Sequence, residues 1–353
     1  MTIPGQDAVD PALVDLEKLA GWMDGQGLPG GDFEGVEQLA GGTQNILVRF
    51  RRGGREYVLR RPPKHLRKAS NDVIRRESVV LAALTGSDVP SPGLIAACPE
   101  PDPDVLGVVF YLMEPIDGFN PSTGLPPQYA DDDRWQHLVG LDVIDGIAAL
   151  GAVDHEAVGL ADYGKPDGFI ERQVPRWLHE LETFDELDGY PGPEIPELDR
   201  VAAWLDANRP TTWTPGIMHG DYHLANVLFA YDAPELAAIV DWEMSTIGDP
   251  LVDLGWMIAM WPAEGTTSGP AAGAGMGARG GFPTPDELVA RYTERTTRDM
   301  SAIDWYVVLA CFKCGIILEG THARACAGKA DKAVGDLLHA TTLALFAKAA
   351  TYL

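Results

Sequence analysis

Between residues 36 and 113 the apolar positions recur with the short period of strands, interrupted once by a helical stretch. VEQLA (36–40), NILVRF (45–50) and EYVLRR (56–61) are β-type runs, with Gly41-Gly42 and Gly53-Gly54 in the turns between them. That pattern predicts an antiparallel meander. From Ser70 to about Thr85, Val73, Glu77, Val80, Leu81 and Leu84 recur at three- and four-residue spacing and share one helix face. Two more strands are expected near 93–97 and 107–113. Ahead of this block, residues 10–24 read as an amphipathic helix with Asp10 as cap and Pro11 at its first position.

Beyond VFYLMEPIDG (109–118), a hinge-like stretch, the period lengthens to that of helices. They are expected over 132–150, 169–187, 196–207, 285–297, 302–320 and 331–352. Thr284-Pro285-Asp286-Glu287 is the strongest start signal, a capping box with proline at the first helical position. The glycine-rich stretch 264–281 reads as a flexible connection, with a lid role left open. The expected organisation is an N-terminal helical extension (1–35), an N-lobe of sheet and one helix (36–115), and a mostly helical C-lobe (116–353). The fold class is α+β.

Composition narrows the function classes. At 353 residues and 46% hydrophobic content, the chain can bury two sizeable cores. The sequence has no apolar run long enough to cross a bilayer and no signal-peptide pattern at its start, so a soluble, cytoplasmic protein without a membrane partner is expected. Four cysteines are too few for a disulfide framework. The formal charge of −25 repels a phosphate backbone and argues against nucleic acid. It could concentrate cationic ligands, but Asp and Glu are spread throughout, which reads first as a solubility device.

Two segments carry chemistry: HGDYHLANVLF (219–229) and IVDWEMSTIGDPLVDL (239–254). They set Asp221, Asn226 and Asp241 on short, otherwise apolar stretches. Phosphoryl transfer needs a carboxylate to orient and deprotonate a hydroxyl, and oxygen ligands to hold Mg²⁺ against the β- and γ-phosphates. The first segment has the form H-x-D-x-x-x-x-N and the second stands in the place of D-F-G, so the pair reads as a kinase catalytic loop and metal loop.

On these motifs the chain resembles the aminoglycoside phosphotransferase family, also called the phosphotransferase-enzyme family, which includes choline and fructosamine kinases. It is most similar to the subgroup whose members sometimes precede acyl-CoA dehydrogenase domains, through YVLRRPP (57–63), VGLADYGKPDGFIERQVPRW (158–177) and GFPTPDELVARY (281–292) besides the catalytic pair. The resemblance implies a two-lobed protein-kinase-like fold and transfer of the γ-phosphate of ATP, or another NTP, with Mg²⁺ to a hydroxyl of a small molecule.

Residue roles follow from motif positions. Asp221 is the expected base, and Asn226 and Asp241 the Mg²⁺ ligands. Gly41, Gly42 and Thr43 form a loop of little bulk whose backbone N–H groups could approach a triphosphate. Arg60 takes the place of the phosphate-binding lysine and sits on the strand face opposite Leu59, with Arg61 turned away. Glu77, a carboxylate on an apolar helix face, needs a cation, and Arg60 is the expected one. The alternative sends Glu77 to water at the edge of the stripe and pairs it with Arg75 or Arg76. Met113 and Glu114, in the hinge stretch, complete the nucleotide set.

His219, Glu243, Asp249 and Asp253 are supporting residues. His219 is expected to hold the loop backbone, and Asp253 to accept backbone hydrogen bonds from the catalytic loop. Arg172 and Arg176 could meet an anionic substrate group or be salt-bridged to nearby carboxylates. Trp177 could wall a substrate site, the other tryptophans being core anchors. A nucleotide-binding regulatory module without turnover remains the alternative. A metallohydrolase built on His219-x-Asp221-x-His223 is weaker, because no second ligand cluster accompanies it. Cys311-x-x-Cys314 lies in an apolar helical run and reads as buried thiols.

Overall fold

Alternating apolar residues build one five-stranded antiparallel sheet, ordered β1-β2-β3-β5-β4. Its strands are β1 (Phe33–Gln38), β2 (Ile46–Arg52), β3 (Arg55–Arg61), β4 (Leu94–Cys98) and β5 (Phe110–Met113). The computed structural model describes residues 13–39, 45–262 and 280–353. Gly41, Gly42 and Thr43, the cap Asp10–Pro11 and most of the 264–281 connection therefore lie outside the described residues.

Strand register assigns the two faces of the sheet. Val48, Leu59 and Leu112 stand directly opposite one another across β2, β3 and β5. With Phe50, Tyr57 and Phe110 they pack against Val14, Leu19 and Met23, at and around α1 (Leu16–Gly25). Each such fully buried side chain contributes about 1.5–3 kcal/mol relative to exposure. The intervening positions, Arg60 and Tyr111, face α2 (Ser70–Leu84).

Two boundaries near the start of the chain differ from the sequence reading. Helix α1 begins at Leu16, not near residue 10, because Asp15 supplies the cap by accepting from the N–H groups of Glu17 and Lys18. Strand β1 covers 33–38, not 36–40; Phe33 stacks edge-on against Phe50, centroids 5.1 Å apart, and draws the turn-rich segment into the sheet. On α2 the fully buried stripe runs through Ile74, Glu77, Ser78, Val80, Leu81 and Leu84.

The chain divides into two compact units, one comprising Met1–Gly118 with Ala237–Ser245, the other Phe119–Leu236 with Thr246–Leu353. The segment bearing Asp241, which the sequence reading grouped with the C-lobe, thus belongs with the first unit. The Ile239 N–H donates to Pro90 O (2.8 Å), and Arg76 to Ser245 O (3.0 Å).

The second unit is mostly helical. It holds α3 (Pro127–Ala130), α4 (Asp133–Ala152), α5 (Gln173–Glu182), α6 (Leu198–Ala207), α7 (Leu251–Met260), α8 (Pro285–Arg295), α9 (Ile303–Cys326) and α10 (Lys332–Ala350). Short strands carry the chemical loops: β6 (Gly216–Met218), β7 (Val227–Phe229), β8 (Leu236–Ile239), most of which lies in the first unit, and β9 (Thr246–Gly248), antiparallel to β6.

The capping box at Thr284 and Glu287 is present. The helix expected over 169–187 is shorter, ending at Glu182 in a 3₁₀ turn, Thr183–Glu186. The one expected to stop at residue 320 runs on to Cys326. Gly320 serves packing there: a Cβ would lie 2.7 Å from the Phe184 ring. Among the described residues no helix is long and apolar enough to cross a membrane.

Candidate active site

In the first unit a buried ion-pair cluster forms around Arg60. Its Nη2 donates to Glu77 Oε1 and to Asp241 Oδ1, each at 2.7 Å. Glu77 is fully buried, and its Oε2 accepts from the Tyr111 hydroxyl at 3.1 Å. Glu77 therefore does not reach water. Arg75 pairs with Asp72 and Glu100, and Arg76 bonds Ser245 O.

Burial pushes the Glu77 carboxyl up to about 7, against the pull of Arg60 and its hydrogen bonds. Burial works to lower the Arg60 guanidinium, but Glu77, Tyr111 and Asp241 outweigh it and raise its pKa. The Arg60 Nε is buried without a hydrogen-bond partner. An unsatisfied guanidinium N–H is costly, and an anionic oxygen would satisfy it.

Asp241 adopts φ 67° and ψ 63°, alone among the described non-glycine residues in the left-handed region. It remains 39% exposed, so its carboxylate is reachable. One oxygen from each of Glu77, Asp241 and Glu243 lies within 4.8 Å of the others, a hard donor set that fits a cation such as Mg²⁺. Arg61 is buried on the opposite face, where it donates to Leu13 O and Pro62 O. Met113 ends β5. Glu114 donates its N–H to Gly93 O (2.9 Å) and pairs its carboxylate with Arg55 (3.1 Å).

In the second unit the loop after β6 is pinned from beneath. Asp253, on the first turn of α7, accepts the N–H of His219 at 2.6 Å and of Gly220 at 2.8 Å. Burial pushes its carboxyl up to about 7, against those bonds and the nearby Lys313. His219 is buried, and its Nδ1 accepts the Asp221 N–H at 3.3 Å. Asn226 donates Nδ2 to both Asp221 O (2.9 Å) and Asp221 Oδ2 (3.0 Å), which turns its amide oxygen toward other partners. Asp249 stands apart, accepting from the Tyr306 hydroxyl and the Leu251 N–H.

Asp221 itself is 36% exposed. Burial works to raise its pKa. The hydrogen bond from His223, and the fields of His223, His219 and Lys313, hold it below the usual value. The His223 Nδ1 accepts from Ala225 N–H, so its Nε2 carries the proton facing Asp221 Oδ2 at 3.3 Å.

Lys313 is the residue the sequence reading missed. Its Nζ donates to Gly220 O at 3.3 Å and lies over the rings of Trp256 (4.4 Å) and Trp177 (5.7 Å). Burial lowers its pKa, while Asp253 and Asp221 support the charge. The available signal was a lone lysine inside the apolar run LACFKCGIIL, where a cation needs partners.

Its neighbours Cys311 and Cys314 are buried free thiols, raised by burial to about 11 and about 12. Arg172 is exposed and forms no salt bridge among the described residues. It is tied to the carbonyls of Asp167 and Lys165. Trp177 is a buried core side chain.

A sheet with a buried arginine–glutamate pair beneath one helix, and a mostly helical unit carrying the H-x-D-x-x-x-x-N loop, define a kinase-like α+β fold. Residues 35–299 match the family model described as the phosphotransferase enzyme family, and the chain belongs to that family.

Among solved structures, a Ralstonia eutropha protein provisionally described as an aminoglycoside phosphotransferase superposes with a TM-score of 0.77 at 30% identity, covering 96% of this chain and 99% of its own. Aminoglycoside 2'-phosphotransferase-IIIa, solved with GDP, shares the fold at a TM-score of 0.59 and 17% identity, covering 91% of this chain and 97% of its own. Acyl-CoA dehydrogenase family member 11 of Gallus gallus is 27% identical over 303 residues, 84% of this chain but 37% of that protein. Member 10 of Mus musculus is 27% identical over 85% of this chain and 27% of its own length. The chain thus spans about a third of the length of these curated relatives.

Proposed function

We propose that this protein is a small-molecule kinase, which transfers the γ-phosphoryl group of ATP or another NTP to a substrate hydroxyl. The observation that carries this reading is the Asp221–Asn226 pair, with its loop pinned by Asp253. It holds a partly exposed carboxylate ionised beside an amide oxygen suited to a metal. Asp221 orients the attacking hydroxyl. Because its pKa is held low, it receives the proton late, as the oxygen commits to phosphorus. Arg60 meets phosphate oxygens through the N–H that lacks a partner. Glu77 keeps the guanidinium charged and aimed.

Asp241 in the first unit, with Glu243 near it, and Asn226 in the second are each proposed as Mg²⁺ ligands, and the ion would supply neutralisation of charge on the phosphates. Arg60 holds Asp241, and nucleotide binding would exchange that contact for phosphate and metal.

The acceptor is a hydroxylated metabolite. The relatives named as acyl-CoA dehydrogenases bring hydroxyacyl thioesters into consideration beside aminoglycosides. ATP-dependent phosphorylation of a panel holding both classes, read by mass spectrometry, tests the reading. Wild type should label at least one acceptor. Asp221→Asn should keep MgATP binding but slow transfer by about 10²–10⁴-fold. Nucleotide binding without any labelled product would favour the regulatory module.

A further inference from the structure

The end of α9 and the first half of α10 carry a second cluster of ligating side chains, away in sequence from both catalytic segments. Glu319, His322 and Cys326 fall at i, i+3 and i+7 on α9, a spacing that keeps them on one face. Asp336 and His339 stand at i and i+3 on α10. Gly335 lets the helices approach at this level. A Cβ there would lie 2.4 Å from Ala325 Cβ and 3.4 Å from His322 Cα.

Glu319 is fully buried. It accepts from the Tyr190 hydroxyl (2.9 Å) and faces His339 Nδ1 at 2.8 Å, while no lysine or arginine among the described residues pairs with it. A buried carboxylate without a firm cationic partner is costly. His322 stacks on His339, centroids 4.5 Å apart and planes 27° apart. The His322 Nδ1 is buried without a hydrogen-bond partner, 3.9 Å from Asp336 Oδ1, and its Nε2 lies 3.6 Å from Cys326 Sγ. One ligand atom from each of Glu319, His322 and His339 lies within 4.8 Å of the other two.

We propose that Glu319, His322 and His339 form a site for a divalent transition metal of the zinc class. Two imidazoles and one carboxylate match the three-ligand sets that zinc occupies with a fourth position open to water. The same donors are a poor match for Mg²⁺, which prefers oxygen ligands and retained water. Binding replaces the proton between His339 Nδ1 and Glu319, and that proton leaves to solvent. Cys326, exposed at the rim, is not needed for the set.

The full chain, stripped with chelator and held in excess Mg²⁺, is titrated with Zn²⁺ against a chromophoric chelator and with Co²⁺ by visible absorption. One equivalent should bind, with the intense d–d bands of a four-coordinate Co²⁺ centre. His322→Ala and His339→Ala should each weaken binding by at least about tenfold, and Glu319→Gln likewise. His339→Gln serves as the milder variant if the alanine protein melts early. Asp221→Asn and Cys326→Ser should bind as wild type does. Failure to bind one equivalent, unchanged affinity in both histidine variants, or loss in Asp221→Asn would overturn the site.

Discussion

Arg60 concentrates several demands on one side chain. Strand alternation aims it at α2, its buried Nη2 serves two carboxylates, and its Nε lacks a partner. If it meets nucleotide phosphates with Glu77 aiming it, Arg60→Ala and Glu77→Ala should both weaken nucleotide binding. Their effects should be non-additive by about 0.5–3 kcal/mol. Arg61→Ala is the control. Because Arg61 bonds Leu13 O on the far face, its loss should lower thermal stability and spare nucleotide affinity. Additive losses at 60 and 77, measured by calorimetry, would separate the pair from phosphate binding.

At the scale of elements, α7 braces the loop after β6 through one carboxylate. Asp253 has a pKa raised from its ordinary value to about 7. A carboxyl raised in the folded state contributes stability that is full below its unfolded pKa, near 4, and is lost as pH rises through about 7. Asp253→Asn should therefore show a shallower loss of stability between pH 5 and 8 than wild type. Glu77 shifts in the same direction and keeps part of the slope. The variant should also be less stable at pH 5, since one amide oxygen must serve two backbone N–H groups. Urea denaturation at the two pH values checks both. Identical slopes would refute the assignment.

Elements with an amphipathic period or an explicit cap were legible in sequence. Helix α8 announced itself through Thr284 and Glu287, and α2 through its stripe. Helix α9 did not reveal its end, because it is buried on most sides and Gly320 imitates a terminator while serving contact with Phe184. Lys313 escaped notice for a related reason: its partners, Gly220 O and two indole rings, come from distant segments. Asp221, Asn226 and Asp241 stood out because their spacing is local. The contacts that tune them are partly tertiary, Lys313 acting on Asp221 and Arg60 on Asp241.

Across the whole molecule, −25 charges distributed over 353 residues repel one another. Added NaCl screens that repulsion over a distance of roughly 10 Å at 0.1 M. The melting temperature should therefore rise as salt increases from millimolar to physiological levels in scanning calorimetry. A melting point that falls over that range would mean that the surface ion pairs, such as Arg291–Asp145 at 2.6 Å, outweigh the net repulsion.

The left-handed backbone at Asp241 sets robustness against turnover at a single codon. A side chain there costs on the order of 1–2 kcal/mol relative to glycine. Asp241→Gly should therefore relieve that cost, although it also removes the Arg60 contact, and it should abolish Mg²⁺-dependent nucleotide binding. A directed-evolution screen that rewarded heat resistance alone would drift toward glycine at this position. One that rewarded product formation would keep returning aspartate.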